Sequence, residues 1–157
     1  MITSSPKDFQ LPVLSLPAIE PQLKWEEDKA WIFDSLRKKY LVLTPEEWVR
    51  QHWVSFLIHH KGYPKGLFSL EKGMKYNQLA KRTDLVIFDR DARPFLLVEC
   101  KAPEVKIDEK TLAQAMAYNK QLNCQNIVLS NGMRHFCFSQ SKEDKSFFQI
   151  ESFPEAP

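Results

Sequence analysis

The segment Phe95-Leu96-Leu97-Val98-Glu99-Cys100-Lys101 constrains this chain more than any other stretch. Four consecutive apolar residues run directly into a carboxylate and, two residues on, an ammonium. A short apolar run closed by Pro103 reads as a core strand. Strand side chains alternate between faces, so Leu97, Glu99 and Lys101 share one face while Leu96, Val98 and Cys100 share the other. Charge at the end of a buried strand is costly unless it is paired or bound to a metal. From these residues alone, a Glu99–Lys101 ion pair at a solvent-exposed strand end is the simplest resolution.

The preceding strand shifts the balance. Thr83-Asp84-Leu85-Val86-Ile87-Phe88 opens on an acid 15 positions before Glu99. If the two strands form a hairpin around the polar turn Asp89–Pro94, Asp84 comes within reach of Glu99 and Lys101. Two carboxylates and a lysine suit a hard divalent cation such as Mg²⁺, which takes oxygen ligands and keeps several waters. Such a cation polarises phosphate and acidifies water, and Lys101 would orient that water or offset charge growing on the phosphate.

The rest of the chain supplies a scaffold for one domain. Its 157 residues are enough for one core and too few for two. Residues 1–23 hold four of the ten prolines and read as an extended arm lying on the domain or on a partner. A core over 24–140 and a C-terminal edge strand or tail over 141–157 complete the division. Leu23 to Asp34 reads as a β-hairpin. Thr44-Pro45-Glu46-Glu47 announces a helix to about His60, with Thr44 as cap and Glu47 at the capping-box position. Strands are expected at Leu67–Lys72, Lys81–Asp89, Phe95–Lys101, Asn126–Ser130 and Arg134–Ser139. A helix over Thr111–Leu122 crosses between two of them, and Phe147–Phe153 adds an edge strand. A helical crossover joins parallel strands, so the expected architecture is α/β, a central mixed sheet flanked by helices on both faces. A formal net charge of +2 excludes a polycation but not a local basic patch. No apolar run approaches the roughly 20 residues of a membrane span. The three cysteines form no CxxC pair, which points to reduced, buried thiols and a cytoplasmic protein.

At this point the chain resembles a known superfamily. Asp84 followed by Glu99-Cys100-Lys101 is similar to the motif of the PD-(D/E)xK nucleases. LTPEEWVRQ (43–51), GYPKGL (62–67), KRTDLVIFD (81–89), LLVECKAP (96–103), QAMAY (114–118) and LSNG (129–132) follow in order. Together they resemble the N-terminal nuclease domain of type I restriction enzyme R subunits over roughly residues 25–140. The resemblance implies a restriction-endonuclease-like three-layer fold and Mg²⁺-dependent hydrolysis of DNA phosphodiester bonds, with Mn²⁺ as a substitute. By motif match, Asp84 and Glu99 bind metal, Lys101 is the catalytic lysine and Glu47 is an additional acid near the metal. Gln114 and Tyr118 match a QxxxY motif. Four apart on one helix face, they would contact the substrate backbone or order the lysine. Glu47 serves equally well as a helix cap, and Tyr118 as a packed side chain.

Other residues weigh less. Cys100 points away from the site residues, and only its backbone carbonyl can reach a metal. No histidine is placed to make it a nucleophile. His52 and His59 read as packing residues, and the His59-His60 pair lacks a metal-site pattern. Lys72, Lys75, Lys81 and Arg82 cluster before Asp84 where a nucleic-acid backbone would pass, and Arg37–Lys39 form a second basic group. Tyr63 and Tyr76 are alternatives for base stacking or packing. The residue before Asp84 is Thr83 rather than the proline of the motif's name. The 157 residues contain no GxxxxGK[ST] phosphate loop, so any motor or recognition function is expected from a separate partner subunit. The competing reading is a catalytically weak or inactive nucleic-acid-binding or protein-interaction module of the same fold.

Overall fold

The structure, a computed structural model, describes residues 10–69 and 84–157. Three short strands come first: β1 (Leu23–Glu26), β2 (Lys29–Asp34) and β3 (Lys39–Val42). They form an antiparallel sheet in sequence order, separate from the main one. The expected hairpin is therefore a three-stranded meander. Its extra turn forms because Asp34 Oδ1 accepts the Leu36 amide and Lys38 adopts a left-handed conformation, which returns the basic cluster as a strand.

Helix α1 (Pro45–Ser55) follows, capped by Thr44, whose hydroxyl accepts the Glu47 amide at 3.1 Å. The rod continues as a π-helical turn over Phe56–His60 and closes with the Lys61 amide on the Phe56 carbonyl. A 3₁₀ turn spans Lys65–Leu67. Of the strand expected over Leu67–Lys72, Phe68 bridges to Ile87 and Ser69 donates to the Val86 carbonyl. Its remainder, with the start of the strand expected at Lys81, lies outside the described residues.

The main sheet contains β4 (Leu85–Phe88), β5 (Pro94–Cys100), β6 (Asn126–Ser130), β7 (His135–Gln140) and β8 (Phe147–Ile150), hydrogen-bonded in that order. Between β5 and β6 runs α2 (Glu109–Leu122), which makes that pair parallel; the other pairs are antiparallel. Asp108 and Thr111 box the start of α2, and Asn123 in a left-handed conformation ends it. The expected mixed sheet with crossover helix is thus present. β8 stops earlier than expected, because Phe153 turns inward to stack on Trp53 and meet Tyr63 edge-on.

Alternation along the strands builds two cores. Leu85, Ile87, Leu96, Val98 and Cys100 pack with Val49, Trp53 and Leu57 of the α1 rod. Val86, Leu97 and Ile127 pack with Leu122 and Tyr118 of α2. Each such fully buried aliphatic side chain contributes about 1.5–3 kcal/mol. The stripe of Trp48 and His52 is buried as well, because the arm covers it. Trp48 Nε1 donates to the Pro12 carbonyl and His52 Nδ1 to the Trp48 carbonyl. His59 stays exposed, as does no other member of that stripe except in part. No helix among the described residues is long and apolar enough to cross a membrane.

The arm lies on its own domain from Leu11 onward. The Ser15 amide donates to the Gly132 carbonyl, and the His135 ring bridges Ser15 and Ser130 at 3.1 and 2.7 Å. Gly132, at φ +83°, lets Leu14 and Val49 approach to 3.0 Å of where a Cβ would stand. Gly132→Ala is therefore expected to destabilise the domain by about 1–3 kcal/mol, read from urea unfolding midpoints. A second expectation concerns pH. Burial holds the pKa of His135, and likewise that of His52, below the ordinary 6.5. The folded state keeps both rings neutral while the unfolded chain takes up protons, so stability is full above pH 6.5 and falls as pH drops below it. His135→Gln should flatten part of that fall in a series of thermal melts from pH 7.5 to 5.5.

Candidate functional site

Three polar side chains, Asp84, Glu99 and Lys101, lie at the C-terminal end of β5. The β4–β5 register pairs Leu85 with Val98, so one further step sets Asp84 opposite Glu99. Both acids are buried, at 6% and 3% exposure. By alternation they fall on the α2 side, with Val86 and Leu97. Lys101 lies just beyond the strand, its amide donating to the Ser130 carbonyl and its Nζ 3.9 Å from Glu99 Oε2. That lysine head is partly solvated, so the contact is a loose, screened pair rather than a tight bridge.

Glu47 comes from the first turn of α1 and is fully buried. The capping-box alternative is half met: Thr44 caps the helix, but the Glu47 carboxylate turns inward instead of returning to the Thr44 amide. Its Oε2 accepts from Arg50 Nη1 and from Gln51 Nε2, both at 3.0 Å. Its Oε1 is buried with no hydrogen-bond partner among the described residues. Arg50, 2% exposed, also reaches Asp34 Oδ2 at 3.4 Å, and Arg37 reaches the same oxygen at 3.3 Å. Burial opposes the Arg50 charge, yet Glu47 and Asp34 outweigh it and hold its pKa above the ordinary range.

The Cys100 thiol is the common neighbour of this cluster. Burial first, then the charges of Asp84, Glu47 and Glu99, push its pKa well above the ordinary value, with Arg50 opposing. A thiol so placed stays protonated, which removes it as a nucleophile. Burial likewise pushes Cys124 up to about 12 and Cys137 to about 11.

The sequence-predicted residues are thus brought together unequally. Asp84, Glu99 and Lys101 share one strand end, and Glu47 approaches through the neighbourhood of Cys100. Tyr118 packs in the Leu97 core, on the face that carries Glu99, while Gln114 is exposed on α2. Lys72, Lys75, Lys81, Arg82, Thr83 and Tyr76 lie outside the described residues. Tyr63 is buried and donates to the Pro154 carbonyl, so its role is packing. Asp34, Arg50 and Gln51 were missed by sequence reasoning. Arg50 and Gln51 stand three and four residues after Glu47, a spacing that faces them toward it on a helix. Asp34 carries no such signal, because it arrives from another sheet. A cavity of about 400 Å³ lies between the arm and α1, lined in part by Gln51, Ser55 and His59, and it contains none of Asp84, Glu99 and Lys101.

Carboxylate oxygens are the donor type that a hard cation takes. Glu47 Oε1 and Glu99 Oε2 are buried oxygens without hydrogen-bond partners, and every candidate ligand side chain is a carboxylate. Among the described residues no three His, Cys, Asp or Glu side chains form a ready cage. Mg²⁺ needs none, being held by one or two carboxylates with water and substrate oxygens.

A mixed sheet between two helices, with two acids and a lysine at one strand end, defines a nuclease-like fold. Among known families, the model of the Type I restriction enzyme R protein N terminus matches residues 45–154. That is well over half of the chain, and the chain belongs to this family. A comparison with curated proteins found no match. The buried cluster makes a stability prediction. Arg50→Met leaves buried Glu47 without its cation and Asp34 with Arg37 alone, and should cost about 3–5 kcal/mol, measured by equilibrium denaturation.

Proposed function

We propose that this domain is a Mg²⁺-dependent nuclease that hydrolyses DNA phosphodiester bonds, with Mn²⁺ as a working substitute. One observation carries the reading: the β4–β5 register that sets Asp84 opposite Glu99, with Lys101 two residues on. Asp84 and Glu99 would hold the cation, helped by the Cys100 backbone carbonyl and by Glu47 through Oε1. When bound, Mg²⁺ supplies Lewis acidity at a phosphate oxygen and lowers the pKa of a bound water. Lys101 orients the attacking water or donates to the phosphate and offsets charge that grows in the transition state. Tyr118 and Gln114 contact the substrate backbone from α2 or order the lysine. Lys72, Lys75, Lys81 and Arg82 supply salt-dependent phosphate contacts. The domain works in the cytoplasm with its thiols reduced, on DNA, together with a separate motor or recognition subunit. Membership in the restriction-enzyme R family supports both partners.

A second reading has its own observation. Glu47 Oε2 is already taken by Arg50 and Gln51, and the described acids form no closed cage. This favours a catalytically weak module that binds nucleic acid or a partner protein without cutting.

Incubating plasmid, linear and single-stranded DNA with Mg²⁺ or Mn²⁺ separates the two. The nuclease reading expects cleavage that Lys101→Ala lowers by about 10²-fold or more and Asp84→Ala abolishes. Wild type and both variants behaving alike under every metal and salt condition would sink it. DNA binding that survives in all three proteins without cleavage would establish the second reading.

A further inference from the structure

We propose that strand β8 is a self-association edge, through which two copies of this chain pair antiparallel over Phe147–Ile150 about a two-fold axis at Phe148. The surface lies at the opposite edge of the main sheet from β4 and does not depend on the metal site.

The two edges of the main sheet are treated differently. Beyond β4, Phe68 bridges to Ile87 and the Ser69 amide donates to the Val86 carbonyl, so that edge is covered. Among the described residues β8 pairs with β7 alone. Its sequence, Phe147-Phe148-Gln149-Ile150, contains no charge and no proline, the usual devices that blunt an open edge. Phe148 is 51% exposed. An uncharged open edge that carries an exposed aromatic is a template for another strand.

The hydrogen-bond phase of the β7–β8 ladder selects a second copy as that strand. The Ser141 amide donates to the Ser146 carbonyl, one step beyond the Gln140–Phe147 pair. Bonded pairs alternate along an antiparallel ladder, so Phe148 and Ile150 spend their backbone groups on β7, while Phe147 and Gln149 turn theirs outward. A second β8 satisfies these groups when Phe147 lies opposite Gln149 of the other copy, which happens twice about the axis. Phe148 then faces its own copy in a non-bonded pair, where side chains come closest. The same register brings exposed Lys145, just before the strand, toward exposed Glu151, just after it, at both ends. Opposite charges across strands favour pairing and like charges oppose it. A slip of two residues keeps the backbone bonds but loses both the aromatic and the charge match. Four residues a side make a small interface, so the dimer forms and dissociates with concentration.

The test is sedimentation velocity on the full chain over a concentration series at low salt, with folding checked by thermal melts. Wild type should pass from monomer to dimer as concentration rises. Phe148→Lys sets two like charges face to face on the axis and should weaken the dimer by about tenfold or more. Gln149→Pro removes an outward amide and no bond to β7, and should weaken it by a similar factor. Lys145→Glu or Glu151→Lys alone should weaken it about fivefold. The two together restore opposite charges and should return it to within about twofold of wild type. If Gln149→Pro does not fold, Phe148→Lys and the charge swap decide. A monomer at every concentration overturns the proposal. So does a dimer that Phe148→Lys and Gln149→Pro leave unchanged, since it lies elsewhere on the surface. A double swap no tighter than either single variant overturns the register and the proposal with it.

Discussion

Strand β5 is buried on both faces, and the rest of the domain is arranged around that. Leu96, Leu97 and Val98 are each 0% exposed, because α1 covers one side and α2 the other. A strand so enclosed must end somewhere, and it ends in Glu99 and Cys100, each still only 3% exposed. Low-dielectric surroundings make that carboxylate costly on its own. The neighbouring elements answer with charge. β4 brings a second acid, the segment after β5 brings Lys101, and α1 brings Glu47 with its own arginine. The candidate site is thus a consequence of where a doubly buried strand meets water.

The charges are not evenly matched. Arg50 is committed to Glu47 and Asp34, and Lys101 is a loose, partly solvated neighbour of Glu99. Glu99 and Glu47 thus differ in how tightly a cation holds them. The double commitment of Arg50 explains why the small sheet belongs to the same domain. Without Asp34, Arg50 would have one anion rather than two, and the tie between the meander and α1 would be lost.

Much of the architecture was legible in local pattern. Thr44-Pro45 announced α1, the Asn131-Gly132 turn placed β6 against β7, and a helical stretch between two apolar strands implied their parallel pairing. The places where expectation and structure part have a common cause. Lys39–Val42 is a strand because β2 offers it an open edge. Phe153 leaves β8 because an aromatic cluster around Trp53 offers it burial. Trp48 and His52 are buried because the arm closes over them. In each case pairing or burial against another element overrode a local reading.

The sequence by itself determined the chemistry available: two acids and a lysine spaced so that a hairpin aligns them, in motifs of a nuclease family. Period-two alternation and turn chemistry are local rules, and they suffice for that much. Only the tertiary structure decided where the Glu47 carboxylate points. A glutamate three residues after a threonine fits a helix cap as readily as a buried, ion-paired side chain. The choice falls inward because Arg50 and Gln51 on its own helix hold one oxygen, and Asp34, from a different sheet, holds Arg50. Burial and long-range charge pairing made that choice, and neither is written in the spacing of residues along the chain.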